Sequence, residues 1–221
     1  MSDILPSSVR RALGERSLPL DARASLGKQL VTAGAIIVPF LGLVAGVALA
    51  WGWGFSWVDL GLLVSMTVLT GLGITVGFHR LFTHRSFETN PVVQYVFAVL
   101  GSMAVQGPLL KWVATHRQHH QHSDTPDDPH TPHHHGRGLL GLLRGFWHAH
   151  VGWTLGPDVA GLGRYVPDLR RSTATRVVSA LFPLWVVLGL AVPAALGGLL
   201  SWSWQGAVLG LIWGGLVRVL L

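Results

Sequence analysis

The stretch Thr115-His116-Arg117-Gln118-His119-His120-Gln121-His122-Ser123-Asp124 places four imidazoles in seven positions. It stands between long apolar segments that carry almost no polar chemistry of their own. His116, His119 and His120 are spaced i, i+3 and i+4, so on a helix all three rings share one face. Neutral imidazole is the commonest protein metal ligand. The stretch therefore reads as half of a metal site, and the rest of the sequence is read for the other half and for the fold that carries it.

Outward from this stretch the composition is that of a membrane protein. The 221 residues are 50% hydrophobic and only 12% charged, where a soluble domain carries about 25% charged residues. There is no cysteine, which excludes disulfides, thiolate metal sites and a cysteine nucleophile. Metal ligands must then be histidine nitrogens and carboxylate oxygens, a donor set better suited to iron, zinc, copper or nickel than to calcium or magnesium. The net charge of +6 is not gathered into a basic stripe, so no nucleic acid partner is expected.

Four apolar runs, about 30–51, 57–78, 177–200 and 204–221, are each long enough for a bilayer core that needs roughly 20 residues. They pair into two hairpins with short, tryptophan-rich tips (Trp51, Trp53 and Trp57; Trp202 and Trp204) that lack Lys and Arg. All 16 Lys and Arg fall in a leader (1–29), in the central segment 79–176, or at Arg218. The positive-inside rule places the N-terminus, the histidine-rich segment and the end of the fourth run in the cytoplasm. Gly42 with Gly46, Gly73 with Gly77, and Gly206, Gly210 and Gly214 have the small-xxx-small spacing of close helix packing. The apolar run Pro91–Leu110 contains Gln94, Ser102 and Gln106 and reads as an interfacial or re-entrant helix. The expected fold is an all-α, multi-pass membrane protein with four transmembrane helices in two hairpins and a cytoplasmic helical cap.

All 12 histidines lie between His79 and His150. His79 and His84, at i, i+5, are separated by roughly 140° on an α-helix, so either the helix distorts there or the two rings flank a site wide enough for two ions. His122 points off the shared face. Asp124, Asp127 and Asp128 read as helix terminators that cap a turn with Pro126 and Pro129, a carboxylate ligand being the alternative. His133, His134 and His135 read as a loop that binds metal adventitiously. His148 and His150 fall in a tryptophan-bracketed stretch that reads as a membrane-surface helix, with one ring placed behind the ligands.

These residues resemble the membrane-bound fatty acid desaturases, in particular the acyl-CoA (stearoyl-CoA-like) Δ9 branch. His79-Arg80-Leu81-Phe82-Thr83-His84 is similar to that family's HRxxxH box. His116-Arg117-Gln118-His119-His120 is similar to its HRxHH box, and Asp128-Pro129-His130 and His150-Val151-Gly152-Trp153 are similar to segments downstream of that box. The resemblance implies a cytoplasmic cap holding two histidine-ligated iron ions, and the introduction of a cis double bond into a saturated acyl chain, CoA- or lipid-linked. Molecular oxygen and an electron-donor protein of cytochrome or ferredoxin type would be the other partners. It also implies that His79, His84, His116, His119 and His120 are iron ligands and that Trp112 borders the acyl channel. Arg80, Arg85, Arg137 and Arg144 become candidates for the CoA phosphates, although positive-inside topology explains them equally well. The chemistry agrees: a methylene C–H has no useful acidity, so the oxidising power must come from a cofactor rather than from acid–base side chains.

There are two departures from the family pattern. Thr115 stands where many relatives have Asp. No third HNxHH box follows the fourth run, so the sequence is expected to be C-terminally incomplete and to have weak or no catalysis by itself. The alternatives are a related di-iron hydroxylase or ketolase and a non-enzymatic membrane metal-binding protein or transporter. The scarcity of ionisable groups inside the apolar runs argues against a transporter.

Overall fold

The computed structural model describes residues 24–156 and 161–221; most of the expected leader, residues 1–23, lies outside them. The described residues are helical, with no strand among them. Helix α1, Leu26–Trp53, starts where the Ser25 hydroxyl accepts the Lys28 N–H. Residues 26–29 are thus its first turn and not leader. Helix α2, Trp57–Leu72, opens on a capping box: Ser56 accepts the Asp59 N–H, and Asp59 accepts the Ser56 N–H at 2.8 Å. Such a box satisfies two otherwise orphaned donors and lets the chain reverse after only three residues.

α2 continues without a break into a π-helical segment, Gly73–Thr83. Helix α3, Pro91–Met103, is capped by Asn90 and has Pro91 at its start. At 13 residues it is about 20 Å long, too short to cross a bilayer alone. It packs instead on the π segment, because Gly73 and Gly77 present bare backbone to Gly101 and Phe97. Helix α4, Leu109–His122, carries the histidine-rich stretch. Helix α5, Gly138–His150, precedes a single 3₁₀ turn, Gly152–Leu155. Helix α6, Leu162–Tyr165, and the turn Leu169–Arg171 lead to α7, Thr173–Ala180. The third apolar run divides at Leu181, so its membrane-length portion is α8, Phe182–Ser201. Helix α9, Trp204–Gly210, runs on as a second π segment, Leu211–Leu216, and a last turn, Val217–Leu220.

Among the described residues, three helices are long and apolar enough to cross a membrane: Leu26–Trp53, Trp57–Thr83 and Phe182–Ser201. Trp204–Leu220 is apolar but shorter, and it forms the centre of the bundle. Gly42 and Gly46 of α1 admit Leu216 and Ile212, Leu62 of α2 faces Gly214, and Pro193 and Gly197 of α8 face Gly210. The small-xxx-small stripes are therefore sites of close helix approach. Trp53 meets Trp204 edge to face at 5.1 Å, where the two hairpin tips adjoin. Arg218, 3% exposed, is folded into this bundle and donates to Gly189 O at 3.2 Å.

Below the histidines the packing is protein-like: Phe78, Leu81, Phe82, Leu109, Val113, Val166 and Val178 form one buried cluster. That cluster joins the end of the π segment to α4 and α7 and sets the floor of the site.

Candidate metal centre

His79 and His84 leave the π segment as neighbours. Its i→i+5 hydrogen bonding appears as His84 N–H donating to His79 O at 3.0 Å, and the Thr83 hydroxyl adds a side-chain bond to Phe78 O at 2.8 Å. Residues five apart then stack as residues four apart do in an α-helix, and single-turn π segments occur often at functional sites. Of the two readings left open by the i, i+5 spacing, helix distortion is the one realised. The Nε2 atoms of His79 and His84 lie 3.2 Å apart.

From α4, His116 and His120 offer a second pair, with Nε2 atoms 3.1 Å apart. The two pairs interlock: ring centroids are 4.8 Å apart for His79 and His116, and 4.7 Å for His84 and His120. One ligand atom from each of the four rings lies within 4.8 Å of every other. Metal–nitrogen bonds are about 2.0–2.1 Å, so ligand nitrogens around one ion stand about 3.0 Å apart at a right angle and about 3.4 Å apart in a tetrahedron. The observed pairs fall in that interval, and four imidazoles suit iron, zinc or copper.

The rings are also in the right protonation state. Burial, followed by the neighbouring His120 and His79, lowers the His116 pKa to about 3. Partial desolvation, followed by the neighbouring charged groups, lowers His84 and His120 as well. Each is held neutral, with a lone pair free for a cation. His79 and His116 are half-buried while His84 and His120 are exposed, so the group opens on one side. Trp112 stacks on His116 at 4.8 Å, meets Phe78 edge to face and donates Nε1–H to Gln106. It stands between the rings and the apolar floor.

Arg117, the arginine of the second box, ties the two histidine pairs together. It donates to Phe82 O at 2.7 Å and Thr83 O at 3.4 Å, at the end of the π segment. Its guanidinium also donates to Tyr165 O and pairs with both carboxylate oxygens of Asp168, at 2.8 and 3.1 Å. Arg85, whose side chain is exposed, pairs with Asp168 as well. Burial alone would raise the Asp168 pKa, but the hydrogen bonds from Arg117 and Arg85 outweigh it and hold the carboxyl well below its usual range. Nothing in the sequence around Asp168 signalled this role.

His119 does not join the four. It turns to a second group with Asp128 and His130, whose ligand atoms lie within 4.8 Å of one another. Its Nδ1 is 3.0 Å from both oxygens of Asp128, a carboxylate that is 4% exposed and also accepts the N–H groups of Asp124 and His130. Burial would raise the Asp128 pKa; the hydrogen bond from His119 and the two backbone donors more than offset it and keep the carboxyl ionised. With Nδ1–H given to Asp128, His119 has its Nε2 lone pair available. The single shared face expected for His116, His119 and His120 is thus divided between two groups. Asp128, expected to cap a turn, does so and also orients His119. Its signal was the Asp128-Pro129-His130 motif.

The remaining histidines stay apart from the four. His130 lies against His119 at 4.2 Å and Trp153 at 5.4 Å. His135 stacks on His148 at 4.5 Å, and His133 approaches Asp124 at 3.4 Å.

The family model for fatty acid desaturases matches residues 55–221. The chain belongs to the fatty acid desaturase family. It is 43% identical over 185 residues to the hex-5-enoyl-[acyl-carrier protein] acetylenase of Moorena producens, covering 83% of this chain and 58% of that protein. It is 37% identical over 185 residues to an sn-1 stearoyl-lipid 9-desaturase of Anabaena variabilis, covering 81% of this chain and 61% of that protein. With an icosanoyl-CoA 5-desaturase of Limnanthes douglasii it shares 32% identity over 145 residues, 63% of this chain and 37% of that protein. The chain therefore spans about three fifths or less of the curated relatives it matches.

Proposed function

We propose that this desaturase-family chain acts in the oxygen-dependent introduction of a cis double bond into a saturated acyl chain. The observation that carries this reading is the convergence of His79, His84, His116 and His120, each pair of Nε2 atoms at 3.1–3.2 Å. We assign these four rings to one iron and His119, oriented by Asp128, to the second.

When bound, the iron pair supplies the oxidising power: two hydrogens leave adjacent methylenes, and O₂ takes up two electrons and two further protons to become two waters. The protein's own contributions are positional. Burial favours the neutral form of His116, and the Arg117–Asp168 pair fixes the π segment against α4. Trp112 and Phe78 form an apolar boundary beside His116 that suits an acyl chain entering from the bundle. The relatives act on acyl groups held by acyl-carrier protein, lipid and CoA, so the substrate is assigned as a carrier-bound acyl chain that stays on its carrier. Arg80, Arg137 and Arg144 are available for its polar head, while Arg85 is already paired with Asp168. The electrons come from a cytochrome- or ferredoxin-type donor.

In the membrane, α1, α2 with its π segment, α8 and the Trp204–Leu220 helix are assigned as four spans, with the histidine groups on the cytoplasmic side. The purified full chain, reconstituted with iron, should retain iron through gel filtration, and a His79→Ala variant should not. Turnover by this chain alone is expected to be weak or absent, and any acyl product formed with a reducing system should be a cis alkene. Hydroxylated chains would move the assignment to a di-iron hydroxylase, and failure of the chain to bind iron would refute it.

A further inference from the structure

Helix α5 has two unlike edges. On one, Gly141 and Gly145 lie so close to the loop beneath that an added Cβ would overlap the Gly136 backbone and Pro132 O. His148, on the same edge, stacks on His135. On the other, Leu139, Leu140, Leu142, Leu143, Phe146 and Trp147 are 56–73% exposed. At 100° per residue these six side chains occupy an arc of about 160° whose centre lies opposite the glycine edge. His150 closes the arc at the helix end, its ring stacked on Phe146 and its Nδ1 2.9 Å from Phe146 O. No protein element covers this face among the described residues. Its exposure equals that of Val187 (59%) and Leu199 (64%) on the membrane-length helix α8.

Two further observations say what covers it. The 3₁₀ turn that directly follows α5 is fastened to the first turn of α1, where Lys28 Nζ donates to Gly156 O. That is the level at which the first long apolar helix begins. Arg144, exposed, borders the apolar arc, and Arg137 stands at the helix N-terminus. Apolar side chains on one face and cations at its margin form the pattern of an interfacial helix on anionic lipid.

The geometry points to α5 as an in-plane membrane helix, its leucine face sunk to the hydrocarbon boundary of the leaflet nearest the histidine groups and its arginines at the phosphates. The bilayer then presses the 132–136 loop and His148 toward the Asp128–His119 pair, so that the cap is held against the membrane at a second place. This rests on the multi-span reading above, and the experiment separates the two.

The chain has no cysteine, so single spin labels can be placed at Leu139→Cys, Leu143→Cys, Arg144→Cys and Val187→Cys. The full chain is reconstituted in phosphatidylcholine–phosphatidylglycerol vesicles, and label collision with oxygen is compared with collision by water-soluble chromium oxalate. Labels at 139, 143 and 187 should favour oxygen several-fold over the label at 144. If 187 behaves as a lipid site while 139 and 143 collide freely with chromium oxalate, the interfacial assignment of α5 is wrong and the spans stand. Exclusion of both reagents at 139 and 143 means that protein covers the face, which also overturns it. A water-exposed label at 187 overturns the multi-span reading and the inference together.

Discussion

Three histidines one helical turn apart on α4 meet two different environments. His116 and His120 face His79 and His84, a group without a carboxylate, and their orientation comes from packing: Trp112 stacks on His116 and the π segment presents the opposite pair. His119, between them in sequence, is oriented by one buried acceptor, Asp128. A ring held by a carboxylate on Nδ1 has a defined tautomer and a more basic Nε2. A ring held by neighbouring imidazoles and apolar surface depends on the accuracy of the fold around it. The difference teaches that the four-histidine group is sensitive to tertiary displacement and the His119 group to a single hydrogen bond.

Removing one of the four tests the first half of this contrast and has the largest expected effect. His116→Ala should abolish retention of tightly bound iron, measured by elemental analysis after gel filtration. His133→Ala, outside both groups, should leave it unchanged.

Next in size is the tie between the boxes. Arg117→Ala strips five hydrogen bonds from Phe82, Thr83, Tyr165 and Asp168. It should cost about 3–5 kcal/mol, read as a lower melting temperature in detergent, because removing one partner of a largely buried ion pair leaves the Asp168 carboxylate without its main donor. Iron affinity should fall with it. Arg117→Lys should not restore the wild-type value, since an ammonium cannot make the two-pronged contact to Asp168.

Asp128→Asn tests the second half. The four-histidine ion should remain, while affinity at the His119 side falls by about 10–100-fold, the usual effect of losing the acceptor behind a ligating histidine. Cobalt substitution, titrated by visible absorption, separates the two ions. If both ions were lost equally, the division of α4 into two groups would be wrong.

The last test is pH. Folded His116 stays neutral down to about 3, whereas the unfolded side chain titrates near 6.5. Below 6.5 the unfolded chain therefore takes up a proton that the folded chain refuses. The stabilisation from this site is complete above 6.5 and declines as pH falls toward 3. Stability of the iron-free chain should drop across that window, and in the His116→Phe variant the slope should be shallower.

Much of this architecture was legible in the chain itself. The apolar runs, their glycine stripes and the tryptophans at the tips are local, repetitive signals, and helices of membrane length arise from them because unpaired backbone is intolerable in hydrocarbon. Finer boundaries were not legible: Leu181 ends one helix and starts another, and residues 26–29 join α1, since caps depend on single side chains. His79 and His84 were recognisable as a pair, yet their spacing contradicted an α-helix, and only the π segment reconciled them.

By itself, then, the sequence determined the helical class, the types of donor available and the confinement of every histidine to one segment between apolar runs. Tertiary structure alone decided which rings converge, that Arg85 and Arg117 are engaged with Asp168, and that His119 belongs with Asp128. The physical reason is range. Helix formation depends on neighbours within a turn or two, while the directions of the His119 ring and the Arg117 guanidinium are set by acceptors 9 and 51 residues away along the chain.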